Sequence, residues 1–263
     1  MVNVLVCGAG GRMGKEVVKA VAADKETTLV GAVDISADGQ DAGELAGIGR
    51  LGVYVYKDLA EALEVSKPDV VVDFTNPRVI FDNAKTTISH GVSIVIGTTG
   101  LTEEQRAVLA EMSKEYQANV LVAPNFSLGA VMMMKVSQEL VKYFPDVEVI
   151  ELHHNQKYDA PSGTSILTAK LLAEARDAAA VSEDKTKESL VGARGAKVQE
   201  IPVHSVRLPG YVAHQEVLFG GKGEILSIRH DSLSRESFMP GVILACKCIA
   251  DHPGLTYGLE HYL

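Results

Sequence analysis

Two histidines, a lysine and an aspartate crowd into one stretch of the chain, Glu151-Leu152-His153-His154-Asn155-Gln156-Lys157-Tyr158-Asp159-Ala160-Pro161-Ser162-Gly163-Thr164. Histidine moves protons near neutral pH, and Lys157 adds a fixed positive charge. A helix opening after Ser162 turns N–H groups and the positive end of its dipole outward, so Gly163 and Thr164 read as a carboxylate clamp. Together these residues suit a small dianionic substrate that takes up both a hydride and a proton. Two plainer readings stand beside this one. Ser162 or Thr164 can serve only as an N-cap. If the strand before them runs on, His153 and His154 face opposite sides, so one of the pair is catalytic. No further ligands stand at metal-binding spacing, and no metal is expected.

A second group of residues points to a nucleotide. Gly8, Ala9, Gly10, Gly11, Arg12, Met13 and Gly14 follow an apolar run and open a helical one. Glycines there allow a tight turn and a close approach of backbone to a pyrophosphate. The spacing departs from G-x-G-x-x-G, because Met13 stands where the third glycine belongs and Gly14 comes one residue late. Asp34 ends the second strand at about the separation of 20 residues expected of a ribose ligand. Ile35 follows it, with no arginine nearby to hold a 2′-phosphate. NADH is therefore favoured, and Arg12 leaves NADPH open. Gly97, Thr98 and Thr99, and later Ala123, Pro124, Asn125 and Phe126, follow two more strands, where ligands of parallel sheets bind. The bland alternatives are a turn that only packs helix on strand and ordinary strand-to-helix loops.

The elements that must position these residues are legible from periodicity. Strands are predicted over 2–7, 28–34, 69–74, 92–96 and 119–123, with helices over 11–23, 77–90 and 102–117 between them. Continuous apolar strands alternating with helices imply a parallel sheet covered on both faces. The second half predicts a helix over 128–144, a strand over 146–153 and a helix over 164–175. Antiparallel strands are expected over 197–207, 214–219 and 224–230, and a last helical stretch over 234–250 kinked or restarted by Pro240. The fold class is α/β, a Rossmann-like parallel-sheet domain followed by an α+β domain for substrate binding and oligomerisation. The expected partition is 1–126 for the dinucleotide, 127–234 for the substrate, and 235–263 packing back on the first domain.

Composition narrows the partners. The 263 residues carry a net charge of -9, which argues against nucleic acid. No apolar run approaches the roughly 18 residues of a membrane span. The beginning MVNVLVCGAG reads as a strand and not as a signal peptide. Cys7, Cys246 and Cys248 form no disulfide framework, which fits a reducing cytoplasm, and the last two read as helix packing.

Across nearly its whole length the sequence resembles the dihydrodipicolinate reductases. The motifs Gly8-Ala9-Gly10-Gly11-Arg12-Met13-Gly14, Gly97-Thr98-Thr99-Gly100, Ala123-Pro124-Asn125-Phe126-Ser127 and Glu151-Leu152-His153-His154 through Thr164 occur in that family's order. His204-Ser205-Val206-Arg207 and residues 210–219 also look like the family. The resemblance implies reduction of 4-hydroxy-tetrahydrodipicolinate, a cyclic dicarboxylate, in lysine and diaminopimelate biosynthesis. It implies His153 as general acid, Lys157 as its catalytic partner, and His154, Gly163 and Thr164 as substrate contacts. It implies that Gly8 to Gly14, Asp34, Gly97 to Thr99 and Ala123 to Phe126 hold the nucleotide, and that the chain forms a homotetramer through the sheet of its second domain. Some relatives carry an arginine after the acidic residue, where this chain has Ile35. The rival readings are a dehydrogenase of another small acid and a nucleotide sensor without turnover, which would need no His–Lys pair.

Overall fold

A computed structural model describes residues 1–263, in two compact units, Met1–Ser127 with Arg235–Leu263, and Leu128–Ser234. In the first unit β1 (Val2–Cys7), α1 (Arg12–Ala23), β2 (Thr27–Val33), α2 (Ala42–Ala46), β3 (Val55–Tyr56), α3 (Leu59–Ser66), β4 (Val70–Asp73), α4 (Ile80–Ser89), β5 (Ser93–Ile96), α5 (Glu103–Tyr116) and β6 (Val120–Val122) follow in order. Val4, Leu5, Val6, Val70, Val71, Val72, Ile94, Val95 and Ile96 are fully buried. Such runs form because a parallel strand has helices on both faces and no side facing water.

The short α2 and α3 and the two-residue β3 lie outside the periodic segments read from the sequence. Both helices nevertheless carry a start signal, since Asp41 accepts from Gly43 and Glu44 N–H, and Asp58 from Glu61 N–H. Thr102 and Gln105 do form the capping box expected at the start of α5. Helix α4 begins at Ile80, three residues later than the predicted 77.

In the second unit α6 (Leu128–Leu140), β7 (Asp146–His153), α7 (Gly163–Ala175), β8 (Ala196–Val198), β9 (Ile201–Arg207), β10 (Ala213–Gly221) and β11 (Glu224–Ser232) build a five-stranded sheet of order β11-β10-β7-β9-β8. Its apolar core contains Val147, Val149, Val203, Val217 and Phe219, with Met133 of α6 and Leu172 of α7. Two expectations need correction. The strand predicted over 197–207 is two strands, because Gln199 and Glu200 take positive φ (47° and 65°) and turn the chain into a hairpin. Strand β9 is also parallel to β7, not antiparallel, since α7 and the following loop carry the chain back before it pairs. Helix α6 stops at Leu140, four residues before its predicted end.

The chain then returns to the first unit through a 3₁₀ turn (Arg235–Phe238), α8 (Met239–Cys248) and β12 (Leu255–Tyr257). Pro240 sits in the first turn of α8, where its missing N–H costs nothing, so it restarts the helix. Strand β12 completes a seven-stranded parallel sheet of order β12-β6-β5-β4-β1-β2-β3. No helix is long and apolar enough to cross a membrane.

Phe219 is the largest fully buried side chain and belongs to the second core. Phe219→Ala is expected to cost about 3–5 kcal/mol of stability, read as a lowered urea midpoint; an unchanged midpoint would contradict this placement.

Candidate active site

Strand order reverses around β1, which lies between β4 and β2, and a cleft of about 470 Å³ opens beyond the carboxyl ends of these strands. Its walls include Gly8, Gly11, Asp34, Ile35, Phe74 and Thr75. Gly8 takes φ +79°, and a Cβ there would stand 2.6 Å from Phe74 O. A Cβ on Gly14 would stand 1.9 Å from Gly8 O, so helix and turn meet closely only with glycine at that position. This explains the displaced motif: Gly14, not position 13, is where α1 crosses the turn. Gly11 caps α1 without a side-chain bond, and the first turn, which holds Arg12 and Met13, contains no acid. Such a terminus fits an anion. Asp34 Oδ2 accepts from Gly10 N–H (2.8 Å), and Oδ1 accepts from Ser36 N–H and Oγ–H (2.9 and 2.6 Å). Burial pushes the Asp34 carboxyl up, but these bonds outweigh it and hold the group below its ordinary range.

Asp73, fully buried at the end of β4, organises the neighbouring loops of the site. Its Oδ1 accepts from Thr98 Oγ (2.7 Å) and from Thr75 N–H and Oγ (2.9 and 2.7 Å), while Oδ2 accepts from Asn83 Nδ2 (2.8 Å). A Cβ on Gly97 would stand 2.1 Å from the Phe74 ring, and that ring packs against Phe126 at 5.7 Å. Thr99, Ala123 and Pro124 line a smaller cavity of about 80 Å³ with Arg106 and Tyr257. Asn125 accepts from Ser127 N–H at 2.9 Å. Every nucleotide residue expected from the sequence thus lies at the carboxyl edge of one sheet. Ala9 is buried in the turn, and Arg12 is exposed and does not line the cleft.

In the second unit the alternation of β7 turns Val147, Val149 and Glu151 inward, so a carboxylate is fully buried. Arg207, paired with His153 in the β7–β9 register, grips it with two bonds (Nη1 to Oε2, 2.8 Å; Nη2 to Oε1, 2.7 Å). Ser162 N–H donates to Oε1 at 3.3 Å, and His153 Nδ1 is hydrogen-bonded to Oε2. Burial opposes ionisation of Glu151, but the bonds from His153 and Arg207 prevail and hold its carboxyl at about 2. An ionised carboxylate only accepts, so Nδ1 carries the hydrogen and Nε2 is left as the nitrogen not engaged by Glu151.

Ser162 also accepts from Ser165 N–H and caps α7, leaving Gly163 and Thr164 at the mouth of the helix. Ser165 Oγ donates to Gln215, and Gln215 to Thr168, which ties α7 to β10. Lys157 Nζ donates to Asp159 Oδ1 at 2.7 Å, and Arg207 Nη2 donates to the Asp159 carbonyl, also at 2.7 Å, so the loop is pinned at both charges. His154 is exposed and accepts from Gln156 N–H. The second unit therefore gathers His153, Lys157, Gly163 and Thr164 around one loop. The motifs of the sequence assign no role to Glu151, Arg207, Asp73 or Lys57, the last a wall of the cleft. Glu151 had a signal, an acid at a core-facing position of an alternating strand; Arg207 had only its place in the family-like His204–Arg207 run, because its pairing is set by sheet register.

A Rossmann-like sheet with a glycine-rich turn at the start of α1, joined in one chain to a unit that ties a histidine to a buried carboxylate, fits the class of pyridine-nucleotide-dependent reductases. Residues 2–126 match the model of the dihydrodipicolinate reductase N-terminus, and residues 129–263 match that of the C-terminus. A 4-hydroxy-tetrahydrodipicolinate reductase of Syntrophomonas wolfei is 49% identical over 99% of this chain and 98% of its own length. One from Moorella thermoacetica is 47% identical over 100% and 98%. The structure of a dipicolinate-bound dihydrodipicolinate reductase from Paenisporosarcina sp. TG-14 superposes with a TM-score of 0.89 at 41% identity, covering 100% of both chains. The chain belongs to the dihydrodipicolinate reductase family.

The depressed value of Glu151 makes an acid-side prediction. Its ordinary value of 4.5 applies to the unfolded chain and about 2 to the folded one. The stabilisation, roughly 3 kcal/mol, is fully present above 4.5 and is lost as pH falls through 2. Glu151→Gln should therefore be less stable than the parent at neutral pH, with the gap narrowing between pH 4.5 and 2. Urea unfolding across that range measures it, and a gap that does not change with pH would refute the assignment.

Proposed function

We propose that the chain uses a reduced pyridine nucleotide to convert 4-hydroxy-tetrahydrodipicolinate to tetrahydrodipicolinate, in cytoplasmic lysine and diaminopimelate biosynthesis. The observation that carries this reading is the Glu151–His153 pair beside Lys157 at the mouth of α7, in a chain of this family. The Paenisporosarcina relative binds dipicolinate, a ring with two carboxylates, and the same chemistry suits the charges gathered here.

When bound, the nucleotide supplies a hydride. The substrate loses water and takes up that hydride and one proton, and the proton falls to this chain. His153 is the donor: Glu151 engages Nδ1, so the proton leaves from Nε2. Lys157 leaves Asp159 to balance the negative charge that builds on the ring. His154, Gly163 and Thr164 hold a carboxylate. Gly8, Ala9, Gly10, Gly11, Arg12, Met13 and Gly14 cradle the pyrophosphate, and Asp34 takes the ribose hydroxyls. Gly97, Thr98 and Thr99, with Ala123, Pro124, Asn125 and Phe126, receive the nicotinamide. Asp34 followed by Ile35 favours NADH over NADPH. Residues 1–126 with 235–263 are the dinucleotide domain, and 127–234 bind substrate and build a homotetramer. Support for the tetramer lies in the face of the five-stranded sheet opposite α6 and α7, where Ile225 is 81% exposed.

The test is a coupled assay that generates the cyclic substrate enzymatically and follows consumption of NADH and of NADPH; no turnover with either would overturn the reading. His153→Gln should lower kcat about 10²–10⁴-fold, with NADH affinity, read by nucleotide fluorescence, unchanged. Undiminished kcat would remove His153 from the role. Light scattering should give four times the chain mass for the parent and less for Ile225→Lys; a monomeric parent would exclude the tetramer.

A further inference from the structure

The nucleotide cleft contains one cation that the reaction does not use. Lys57 follows β3 directly and lines the cleft with Asp34 and Ile35. Its position is fixed by pairing: Val33 and Tyr56 are partners in the β2–β3 register, and Asp34 N–H donates to Tyr56 O at 2.9 Å. The residues that follow this pair, Asp34 and Lys57, therefore leave neighbouring strands side by side. The Lys57 ammonium has no hydrogen-bond or ion-pair partner within the protein. The other charged residues of the wall are Asp34, Asp58 and Asp82. Asp34 is engaged by Gly10 and Ser36, Asp58 caps α3 through Glu61 N–H, and Asp82 pairs with Lys85 at 2.8 Å. Lys57 is the sole basic residue in a wall of three acids.

Resting on the dinucleotide reading above, we infer that Lys57 is the specificity-determining residue that admits the ribose 2′-phosphate of NADPH. An acid at the end of β2 selects ribose hydroxyls and repels a phosphate. A free ammonium on the adjacent strand offsets that repulsion and donates to the phosphate oxygens, whereas it gains little from the uncharged hydroxyl of NADH. Two other cations lie on α1, Arg12, which is exposed, and Lys15, whose charge reaches Asp34, but neither lines the cleft wall. Removing Lys57 would leave the wall purely acidic.

The experiment is a pair of equilibrium titrations, NADH and NADPH, followed by nucleotide fluorescence, which the absence of tryptophan keeps clean. They are run on the parent chain and on Lys57→Ala, Lys57→Arg and Arg12→Ala. Lys57→Ala should raise the ratio of the NADPH to the NADH dissociation constant about tenfold, the value of one charge-assisted hydrogen bond. Lys57→Arg should restore the ratio, and added salt should shrink the difference. An unchanged ratio in Lys57→Ala, a selective loss in Arg12→Ala alone, or a parent that binds NADH and not NADPH would each overturn the assignment. A parent that binds neither nucleotide would instead overturn the dinucleotide reading itself. Because Lys57 is exposed and makes no internal bond, its replacement should leave the unfolding midpoint in place.

Discussion

A carboxylate with no contact to water has to be answered by charge and by donors, and Glu151 is answered on both oxygens. Arg207 arrives from β9, Ser162 from the start of α7, and His153 from two residues further along β7. One buried group therefore fixes three elements relative to one another. The same group sets which ring nitrogen of His153 carries its permanent hydrogen. Removing any one partner would leave a buried charge short of compensation, a costly state. The position of the His153 ring and the integrity of the second unit's polar interior are in this way the same physical fact.

The first unit solves a related problem with backbone. Its turn after β1 needs glycine at two points for different reasons: Gly8 because its φ is positive and Phe74 O stands close, Gly14 because α1 crosses the turn against Gly8 O. Asp34 then receives Gly10 N–H and stiffens the loop it serves. Asp73 does the same from β4, where it joins Thr75, Asn83 and Thr98. Two buried or half-buried carboxylates thus hold the loops on which a nucleotide would rest, while the parallel sheet beneath supplies a rigid edge.

Periodicity and motif chemistry determined a good deal of this protein. The continuous apolar strands, the helices between them and the glycine turn with its acid were sufficient for the fold class. The His-His…Lys…Ser-Gly-Thr stretch pointed to proton transfer beside an anion-holding helix terminus, because histidine, a fixed cation and a capped helix start suit that chemistry together. The two-residue β3 and three-residue β12 were not read from the sequence, whereas the equally short β6 was, within the strand predicted over 119–123. Without β3 the position of Lys57 beside Asp34 was out of sight, although both residues were in view.

What only the tertiary structure decided is which distant residues meet. Arg207 lies 56 positions from Glu151 and reaches it because β9 runs parallel to β7 in a register that sets Arg207 against His153. The sequence has no local mark of that register. The turn at Gln199 and Glu200, which divides the strand read as one, is likewise imposed by pairing and not by glycine. Local chain chemistry determines elements and motifs, because each depends on neighbours in sequence. Strand order and register depend on how apolar faces are buried together, and so they alone decide which carboxylate a histidine or an arginine will find.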